Sequence, residues 1–485
     1  MKYPLLHHHI GGKPVSGNGQ RLPVISPLDG TLLSEIPLGT DAEISAAVEV
    51  ATAAQRDWAE RTMRQRSQVF YRYRQLLADH QDELAQLIHE ENGKTVAEGK
   101  AEVVRAIDVT EFACSLPQMV AGHVMEVSRN VECSTERVPI GVVASIAPFN
   151  FPVMVPHWTI PIALCLGNAM IFKPSEKVPL SAVRTAELLE EAGLPEGVFN
   201  VVHGDRHVVE AICGEQRIAA VSFVGSTAAA KAVYQQATSN FKRALCLGGA
   251  KNHLIVLPDA QPQQTAVNVV ASMAGCAGQR CMAAASMVAV GEAHTMIDQI
   301  CAEALKLIPG ETLGAVISAE AKDRIERYIN EAEAAGAKVL VDGRNCRVAG
   351  REGGYYIGPT VIDHVTPEMK IAQEEVFGPV LAILRVDDIS QAIEIENASP
   401  YGNAAAIYTS SGPQAKMVAQ RASAGMIGVN IGVPVPLEPF GFGGWNESRF
   451  GVGDITGPGS IEFWTQTKKI TARWNSELKQ GWMGD

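Results

Sequence analysis

One cysteine, Cys281, lies in a run of small residues, GCAGQRCMAAAS at 275–286, with Arg280 directly before it. Small side chains let other groups approach the sulfur closely, and the arginine places a permanent positive charge beside it. A neighbouring cation lowers the pKa of a thiol and raises the fraction of thiolate, which is the nucleophilic form. Because a free cysteine also behaves as a small buried hydrophobe, this stretch alone leaves both a nucleophile and a core residue open.

Three further polar residues each come just after an apolar run that predicts a buried strand. The pairs are Asn150 after 142–147, Lys173 after 169–172, and Ser226 after 219–224. A helical stretch at 180–192 and another strand at 198–202 continue the alternation, which predicts a parallel sheet with helices on both faces. Ligands bind such sheets outside the carboxyl ends of the strands. No GxGxxG motif is present, and Gly225 before Ser226 is only a weak substitute for it.

The other segments are expected to frame this sheet. Residues 1–40 are rich in Gly and Pro and predict extended arms, whereas 41–92 keeps apolar stripes at helical spacing and stops at Gly93. A second alternating region runs from about 254 to 429. Near the C-terminus, Ile461–Thr471 alternates polar and apolar residues, which predicts an edge strand that can pair with another subunit.

The charge balance argues against some classes of partner and indicates that individual arginines would have to bind any anionic substrate. The formal net charge of −12 argues against nucleic acid or an anionic membrane as a partner. An anionic substrate must therefore be collected by local arginines. Arg105 lies among apolar residues of a helix predicted over 94–114, where the commoner role is a surface arginine whose stem packs on the core.

Cysteine usage and hydropathy indicate the compartment. The nine cysteines include no CxxC pair and no metal-site spacing, which predicts reduced thiols, a cytoplasmic protein and no metal. The N-terminus shows no secretory signal. Residues 138–172 contain no charged side chain, but five prolines interrupt them. That density of proline predicts a buried strand, loop and helix rather than a membrane span.

Six motifs in order resemble the aldehyde dehydrogenase superfamily over nearly the whole chain. They are PFNFP at 148–152, KPSE at 173–176, FVGS at 223–226, LGG at 247–249, GQRC at 278–281 and EVFGP at 375–379. Within the superfamily the chain is most similar to the CoA-acylating methylmalonate-semialdehyde dehydrogenases. That likeness rests on GAKNH at 249–253, the 278–283 run, VNIGVPVPL at 429–437 and the helix at 105–115, whereas FGFGGWNESR at 440–449 departs from it.

The resemblance implies a role for each candidate residue. Cys281 would attack the aldehyde, and the Asn150 side chain with the Cys281 backbone N–H would hold the oxyanion. Arg105 and Arg280 would hold the acid group of the substrate. The implied NAD contacts are Lys173 and Glu176 at the adenosine ribose, Ser226 at the pyrophosphate, Glu375 at the nicotinamide ribose and Phe377 on the nicotinamide ring, with Gly225 and Phe149 as further contacts. Without the other motifs, Lys173 and Glu176 would read as a surface ion pair.

The resemblance also implies an α/β architecture of three parts. These are a Rossmann-like NAD-binding domain at 1–114 and 138–250, an α/β catalytic domain at 251–440, and a small β bridging or oligomerisation element at 115–137 and 441–485. Members of the family are usually dimers or tetramers. A glutamate that accepts ribose hydroxyls disfavours a 2′-phosphate, so NAD is expected rather than NADP.

Two positions bear on the acyl acceptor. Hydrolytic relatives carry a glutamate directly before Leu-Gly-Gly and a second near the C-terminal strand, and here these positions are Cys246 and Gln466. Neither is a good general base for water, so the thioester is expected to pass to CoA with loss of CO₂, giving propionyl-CoA or acetyl-CoA. The alternatives are a hydrolytic dehydrogenase of another acidic aldehyde, such as succinate semialdehyde or a sulfonated aldehyde, and a non-enzymatic protein on the same fold.

Overall fold

Two largely parallel β-sheets flanked by helices form the body of the protein. The computed structural model describes residues 1–17 and 20–473. Its α-helices are α1 Asp41–Glu60, α2 Met63–Asp79, α3 Gln81–Asn92, α4 Val96–Met119, α5 Met154–His157, α6 Ile160–Cys165, α7 Leu180–Glu191, α8 Arg206–Gly214, α9 Thr227–Ser239, α10 Pro262–Ala274, α11 Ile297–Ala304, α12 Ala319–Ala334, α13 Lys370–Gln373, α14 Ile389–Ala398, α15 Gly412–Arg421 and α16 Gly457–Trp464. Short 3₁₀ turns lie at Gly275–Gly278 and Gly291–Met296. The α/β class expected from the sequence is confirmed.

The strands follow the same chain order. They are β1 His8–Ile10, β2 Lys13–Val15, β3 Arg21–Ile25, β4 Leu32–Pro37, β5 Val124–Ser128, β6 Val131–Pro139, β7 Val142–Ile146, β8 Ala169–Lys173, β9 Phe199–Val201, β10 Ile218–Val224, β11 Arg243–Leu247, β12 Asn252–Val256, β13 Ala284–Val290, β14 Lys338–Val341, β15 Thr360–Asp363, β16 Val380–Val386, β17 Tyr401–Gly402, β18 Ala404–Tyr408, β19 Met426–Val429, β20 Trp445–Asn446, β21 Arg449–Phe450 and β22 Thr465–Arg473.

The first sheet has the order β2-β1-β9-β8-β7-β10-β11-β21. Five strands of this sheet are parallel to one another, namely β9, β8, β7, β10 and β11. The chain builds outward from β7 to β9 and then returns to the other side of β7 with β10. The crevice between β7 and β10 is therefore the switch point at which open α/β sheets bind ligands. Asn150 and Ser226 follow these two strands, as the sequence predicted.

The second sheet has the order β14-β15-β16-β13-β12-β18-β19 and is parallel apart from the antiparallel edge strand β14. Its central strands are buried apolar runs covered by helices on both faces, as is typical of parallel sheets. Cys281 comes three residues before β13. The nucleophile candidate thus lies at the amino ends of these strands, opposite the carboxyl ends of the first sheet.

The third sheet is antiparallel, with the order β22-β6-β5. Here the sequence prediction of one strand over Ile461–Thr471 is wrong at its start, because α16 continues to Trp464 and the strand begins at Thr465. This strand pairs along its length with β6 of the same chain. Residues 474–485, assigned from the sequence to the bridging element, lie outside the described residues.

Local capping divides the long helical region that the sequence predicted over 41–92 into three helices. Thr62 accepts from the backbone N–H of Gln65, whose side chain accepts from the Thr62 N–H, so a new helix begins at Met63. Gly93 adopts a φ of 93° and ends α3, as predicted. The next helix is longer than predicted and ends at Met119. No helix among residues 1–17 and 20–473 is long and apolar enough to cross a membrane.

Candidate active site

A strained turn after α10 presents Cys281. Cys276 and Ala277 have φ values of 54° and 52°, a region that costs non-glycine residues energy unless the surroundings impose it. The N–H of Cys276 donates to Glu98 Oε1 on α4 at 2.6 Å. A Cβ on Gly278 would lie 2.0 Å from the carbonyl oxygen of Gly378, so only glycine fits there. The turn is therefore held from two sides.

Two side-chain amides fix the backbone of Cys281. Its carbonyl oxygen accepts Nδ2 of Asn252 at 2.8 Å and Nδ2 of Asn403 at 2.9 Å. Asn252 is the first residue of β12, and Asn403 directly precedes β18. In turn, Asn252 Oδ1 accepts the N–H of Ala404 at 3.1 Å, which ties the two strand starts together. Both amides are buried, so the position of Cys281 is set by the second sheet.

Asn150 joins the two sheets at this point. Its side-chain Nδ2 donates to the carbonyl oxygen of Gln279, two residues before Cys281, at 3.0 Å. Asn150 is buried and belongs to the loop that follows β7. The structure thus brings together the two residues that the sequence assigned to nucleophilic attack and oxyanion binding.

A buried ion pair positions the Asn150 loop. Lys94 Nζ donates to Glu102 Oε2 at 2.6 Å and to the carbonyl oxygen of Asn150 at 2.7 Å. Glu102 Oε1 accepts the N–H groups of Val153 and Met154 at 2.8 and 3.0 Å. Burial opposes the ammonium charge, yet the pKa of Lys94 is raised because Glu102 lies beside it. Since both side chains are almost completely buried, the pair is rigid and anchors the loop on α4.

The Cys281 thiol is strongly desolvated. Burial and the negative charge of Glu375 raise its pKa to about 12, against the smaller opposing effects of Arg280 and of the backbone N–H groups of Cys281 and Met282. The lowered pKa expected from the neighbouring arginine is therefore wrong, because loss of hydration outweighs the cation.

Arg280 turns its guanidinium toward α10. Nη2 donates to the carbonyl oxygens of Ala271 and Ser272, each at 2.8 Å, where cations are favoured by the helix dipole. A Cβ on Gly275 would lie 2.7 Å from Arg280 Cζ, so glycine makes room for this arrangement. Among the described residues, its buried Nε has no hydrogen-bond partner.

Arg105 contacts the segment 430–440, which we call the covering segment. Its Nη2 lies 3.5 Å from the carbonyl oxygen of Pro436 and 3.7 Å from Glu438 Oε2. The same segment approaches α10, because a Cβ on Gly432 would lie 1.9 Å from Ser272 Oγ. Arg105 thus contacts the covering segment near Pro436, and Gly432 of the same segment lies beside Ser272, whose carbonyl oxygen accepts from Arg280.

The predicted nucleotide contacts lie at the carboxyl ends of the first sheet. Lys173 ends β8, is 4% exposed, and donates to the carbonyl oxygen of Pro174 at 2.9 Å and to Glu176 Oε2 at 3.3 Å. Burial lowers the pKa of Lys173, partly offset by Glu176. Ser226 caps the 13-residue helix α9, and a Cβ on Gly225 would lie 2.6 Å from the Phe223 ring.

Glu375 lies between the nucleotide region and the thiol. Its Oε1 accepts the N–H of Ala250 at 3.2 Å, and burial raises its pKa to about 7. A Cβ on Gly249 would lie 2.7 Å from Glu375 Oε2 and 2.8 Å from Thr227 Oγ1. The missing side chain at Gly249 therefore keeps the space between these two groups open.

Two aromatic residues complete this region. Phe377 adopts a φ of 55° and packs edge-on against Phe149, with ring centroids 5.9 Å apart and an interplanar angle of 82°. Asn92 Nδ2 donates to the carbonyl oxygen of Phe149 at 2.8 Å. The structure thus brings together two side chains that lie far apart in the sequence and were both predicted to contact the cofactor.

Neither position that replaces a hydrolytic glutamate offers a base. Cys246 is fully buried in β11, and burial raises the pKa of its thiol. Gln466 is exposed on β22, where it is paired with Val138. An amide does not titrate, and a desolvated thiol is a poor general base at neutral pH.

Sequence reasoning missed several residues that hold the site. No motif surrounds Asn403 in the sequence. No role was predicted for the charged residues Lys94, Glu98 and Glu102. A partial signal existed in Glu98 and Glu102, because their spacing of four puts them on one face of α4, whereas Lys94 lies just before that helix begins. Asn252 was noted only as part of a motif.

Known proteins resemble this chain over nearly its whole length. The sequence model of the aldehyde dehydrogenase family matches residues 15–470. Malonate-semialdehyde dehydrogenase of Pseudomonas aeruginosa is 40% identical over 478 residues, covering 97% of this chain and 96% of that protein. Malonate-semialdehyde dehydrogenase 2 of Bacillus anthracis is 41% identical over 480 residues, covering 97% and 98%.

Solved structures give the same result. A Sinorhizobium meliloti 1021 protein assigned as a methylmalonate-semialdehyde dehydrogenase and complexed with NAD has a TM-score of 0.97 and 42% identity, covering 99% of this chain and 100% of that one. Methylmalonate-semialdehyde dehydrogenase of Oceanimonas doudoroffii has a TM-score of 0.96 and 39% identity, covering 98% and 99%.

Proposed function

The chain belongs to the aldehyde dehydrogenase family, and from this premise we propose that it oxidises malonate or methylmalonate semialdehyde with NAD and transfers the acyl group to CoA. The observation that carries the proposal is the hydrogen bond from Asn150 to Gln279, which sets an oxyanion donor beside Cys281. The relatives named for these two semialdehydes cover almost the whole chain.

The residues at the carboxyl ends of the first sheet fit a dinucleotide. Glycine at 249 leaves open a space between Glu375 and Thr227 that a Cβ would fill, and the first turn of α9 offers backbone N–H groups to a pyrophosphate. Lys173 and Glu176 would hold the adenosine ribose, and Glu375 the nicotinamide ribose. The remaining contacts would come from Gly225, Ser226, Phe149 and Phe377. When bound, NAD accepts the hydride that leaves the substrate carbon.

The carboxylate of Glu176 favours NAD over NADP. A carboxylate accepts hydrogen bonds from ribose hydroxyls but repels a 2′-phosphate. Its side chain is 37% exposed and already faces Lys173, so it can turn toward a ribose at little cost.

Cys281 acts as the nucleophile. The thiol proton passes to solvent water, the sulfur forms a bond to the aldehyde carbon, and the electron pair of the broken C=O π bond moves to the oxygen, which takes up the negative charge. Asn150 Nδ2 and the backbone N–H of Cys281 donate to that oxygen, and one such donor is typically worth about 10²–10³ in rate. Loss of hydride from the same carbon then leaves a thioester on Cys281.

CoA receives the acyl group because the chain holds no base for water at the positions of Cys246 and Gln466. The CoA thiol attacks the thioester carbonyl, and Cys281 leaves as thiolate. A malonyl-type thioester loses CO₂ before this step, since its carbonyl stabilises the carbanion that takes up a proton. The products are acetyl-CoA or propionyl-CoA, with CO₂ and NADH.

The acid group of the substrate lies near Arg105 and Arg280. Two guanidinium groups around one carboxylate give charge-assisted hydrogen bonds. Arg105 already contacts the covering segment, and Gly432 of that segment lies beside Ser272, to which Arg280 bonds. For Arg280 to reach the substrate, its bonds to Ala271 and Ser272 must be exchanged for bonds to the carboxylate.

The test is steady-state formation of NADH from a panel of acidic aldehydes, with and without CoA. We expect malonate and methylmalonate semialdehydes to be the preferred substrates, with turnover that requires CoA. Equal turnover without CoA, or a preference for succinate semialdehyde or a sulfonated aldehyde, would support the hydrolytic alternative. No turnover of any aldehyde would favour a non-enzymatic role, against which the intact pair of Asn150 and Cys281 already argues.

We also propose the three-part domain division of the sequence analysis, a cytoplasmic location and a homo-oligomer, dimeric or tetrameric. The third sheet is the candidate contact, because within residues 1–17 and 20–473 no further strand pairs with its edge strands β5 and β22, and it exposes apolar side chains: Val124, Met125, Val127 and Ile470. Light scattering of wild-type protein and of a Val124→Lys/Met125→Lys variant tests it, the variant being expected to dissociate.

A further inference from the structure

We propose that Glu438 is a specificity-determining residue whose carboxylate occupies Arg105 in the free enzyme and competes there with the acid group of the substrate. The inference rests on the proposed function, in which Arg105 receives that acid group. It adds a residue of the covering segment that sets how strongly, and at which pH, acidic aldehydes bind.

Arg105 has acidic neighbours on two elements. Nη1 bonds to Asp108 Oδ2 at 2.7 Å, one turn further along α4. Nη2 faces the covering segment instead, with Glu438 Oε2 at 3.7 Å and the carbonyl oxygen of Pro436 at 3.5 Å. A distance of 3.7 Å is too long for a hydrogen bond, so Glu438 attracts Arg105 without being fixed to it. A carboxylate that bonds directly can displace it.

The position of Glu438 makes it, rather than Asp108, the competitor. The Glu438 side chain is 11% exposed and the Asp108 side chain is 38% exposed. Glu438 comes from the covering segment, whose other end borders Ser272 and hence the neighbourhood of Arg280. Glu438 faces Nη2 of Arg105, the nitrogen that is not bonded to Asp108, so a substrate carboxylate that binds this nitrogen takes the place of Glu438.

The protonation of Glu438 changes this competition. Burial and the neighbouring Asp108 raise the pKa of Glu438, whereas Arg105 lowers it, and the net change is upward. The charged groups facing it are thus Arg105 and Asp108, both on α4. Below its pKa, neutral Glu438 leaves Arg105 to the substrate. Above its pKa, ionised Glu438 competes and also repels the substrate carboxylate, which stays ionised throughout.

The experiment compares wild-type enzyme with Glu438→Gln, which keeps the shape and removes the charge. KM and kcat are measured by NADH formation from pH 4.5, the ordinary pKa of a glutamate, up to pH 8.5, for malonate semialdehyde and for propanal, which lacks the acid group. At pH 8 the variant should show a KM for malonate semialdehyde that is lowered about two- to fivefold, the scale of a partly exposed charge pair. The KM for propanal should not change.

The pH profile separates this role from a merely structural one. The wild-type KM for malonate semialdehyde should rise with pH, and that rise should disappear in Glu438→Gln. Asp108→Asn is the matched control, because it removes the other carboxylate from Arg105 at a more exposed site, and it should leave the pH-dependent rise in place. Thermal melting checks that each variant is folded.

Two outcomes overturn the inference: a Glu438→Gln effect equal on both substrates, or an unchanged KM with an unchanged pH profile. Arg105→Leu distinguishes these from failure of the proposed function. If Arg105→Leu raises the KM for malonate semialdehyde but not for propanal while Glu438→Gln does nothing, only the inference on Glu438 fails. If Arg105→Leu affects both substrates equally, Arg105 is not the acid-binding residue and both proposals fail.

Discussion

Asn150 Nδ2 lies 3.0 Å from the carbonyl oxygen of Gln279, so the side chain expected to hold the oxyanion is bonded to the backbone that carries the nucleophile. A side-chain amide has two N–H donors. One of them is used here, which leaves the second for the substrate oxygen. The geometry of attack therefore depends on how firmly the loop of Asn150 is held, and Lys94 and Glu102 hold it.

Lys94→Met should lower both stability and kcat. The substitution leaves Glu102 as a buried carboxylate without its cation, which typically costs about 3–5 kcal/mol in the free energy of unfolding. Loss of the bond to the Asn150 carbonyl also loosens the oxyanion donor, and small misplacements of this kind cost about 10²-fold in rate. Chemical denaturation and NADH formation measure the two effects.

The double variant Lys94→Met/Glu102→Gln separates stability from positioning. It should regain most of the lost stability, because no lone charge stays buried, but not the lost kcat, because the bond to Asn150 is still absent. Lys100→Met is the control on the same helix, since Lys100 pairs with Asp82 at the surface, and it should change neither quantity. Equal destabilisation in the single and double variants would contradict this account.

Local patterns predicted much of the fold and of the chemistry, but not the long-range contacts. Continuous apolar runs located β7, β8, β9 and β10 of the first sheet, and residues at the strand ends located Asn150 and Ser226. The break at Thr62 also had a signal, because Thr62 and Gln65 have capping-box spacing. Asn403, in contrast, reaches the Cys281 carbonyl from 122 residues away, and no local pattern announces such a contact.

The electrostatics of the thiol could not be inferred from its neighbours in sequence. Arg280 is adjacent to Cys281 along the chain, but its guanidinium is committed to the end of α10. Glu375 is 94 positions away, yet it contributes the negative charge that faces the thiol. Desolvation depends on the whole packed site, so it appears only once the fold is known.

Cys281→Ser should reduce NADH formation by about 10³-fold or more, because a serine hydroxyl without an adjacent base is a far poorer nucleophile. NAD binding, followed by titration calorimetry, should persist. Cys276→Ser is the control: Cys276 lies in the same strained turn, but it is buried and contacts Glu98 only through its backbone N–H. If activity survived in Cys281→Ser and vanished in Cys276→Ser, Cys276 would have to be the nucleophile.

Glu375→Gln should make Cys281 more reactive in the absence of NAD. Removal of the negative charge lowers the thiol pKa from its value of about 12, so the thiolate fraction rises. Because the pKa of Glu375 is about 7, wild type and variant should be alkylated by iodoacetamide at similar rates near pH 6 and diverge above pH 8. Mass spectrometry of the Cys281 peptide follows the reaction.

The same variant should raise the KM for NAD, since Glu375 is proposed to hold a ribose. Glu374→Gln is the matched control, because Glu374 is exposed and bonds to Tyr328. It should leave both the alkylation rate and the KM for NAD unchanged. Alkylation of Glu375→Gln that is no faster than that of wild type at pH 9 would show that the charge of Glu375 does not control the thiol.

The acyl acceptor is tested by single-turnover kinetics. With Cys246 buried and Gln466 exposed on β22, no base activates water at either position, and general-base help is typically worth about 10²–10⁴ in rate. Mixing enzyme, NAD and malonate semialdehyde without CoA should therefore give a burst of about one NADH per active site, followed by slow turnover. CoA should accelerate the slow phase about 10²-fold or more, because its thiol needs far less activation than water.

Desulfo-CoA, which lacks the thiol, should give the burst without the acceleration, and Cys246→Ser should behave like wild type. Fast steady turnover that is indifferent to CoA would mean that the thioester is hydrolysed, and that a base other than residues 246 and 466 activates the water.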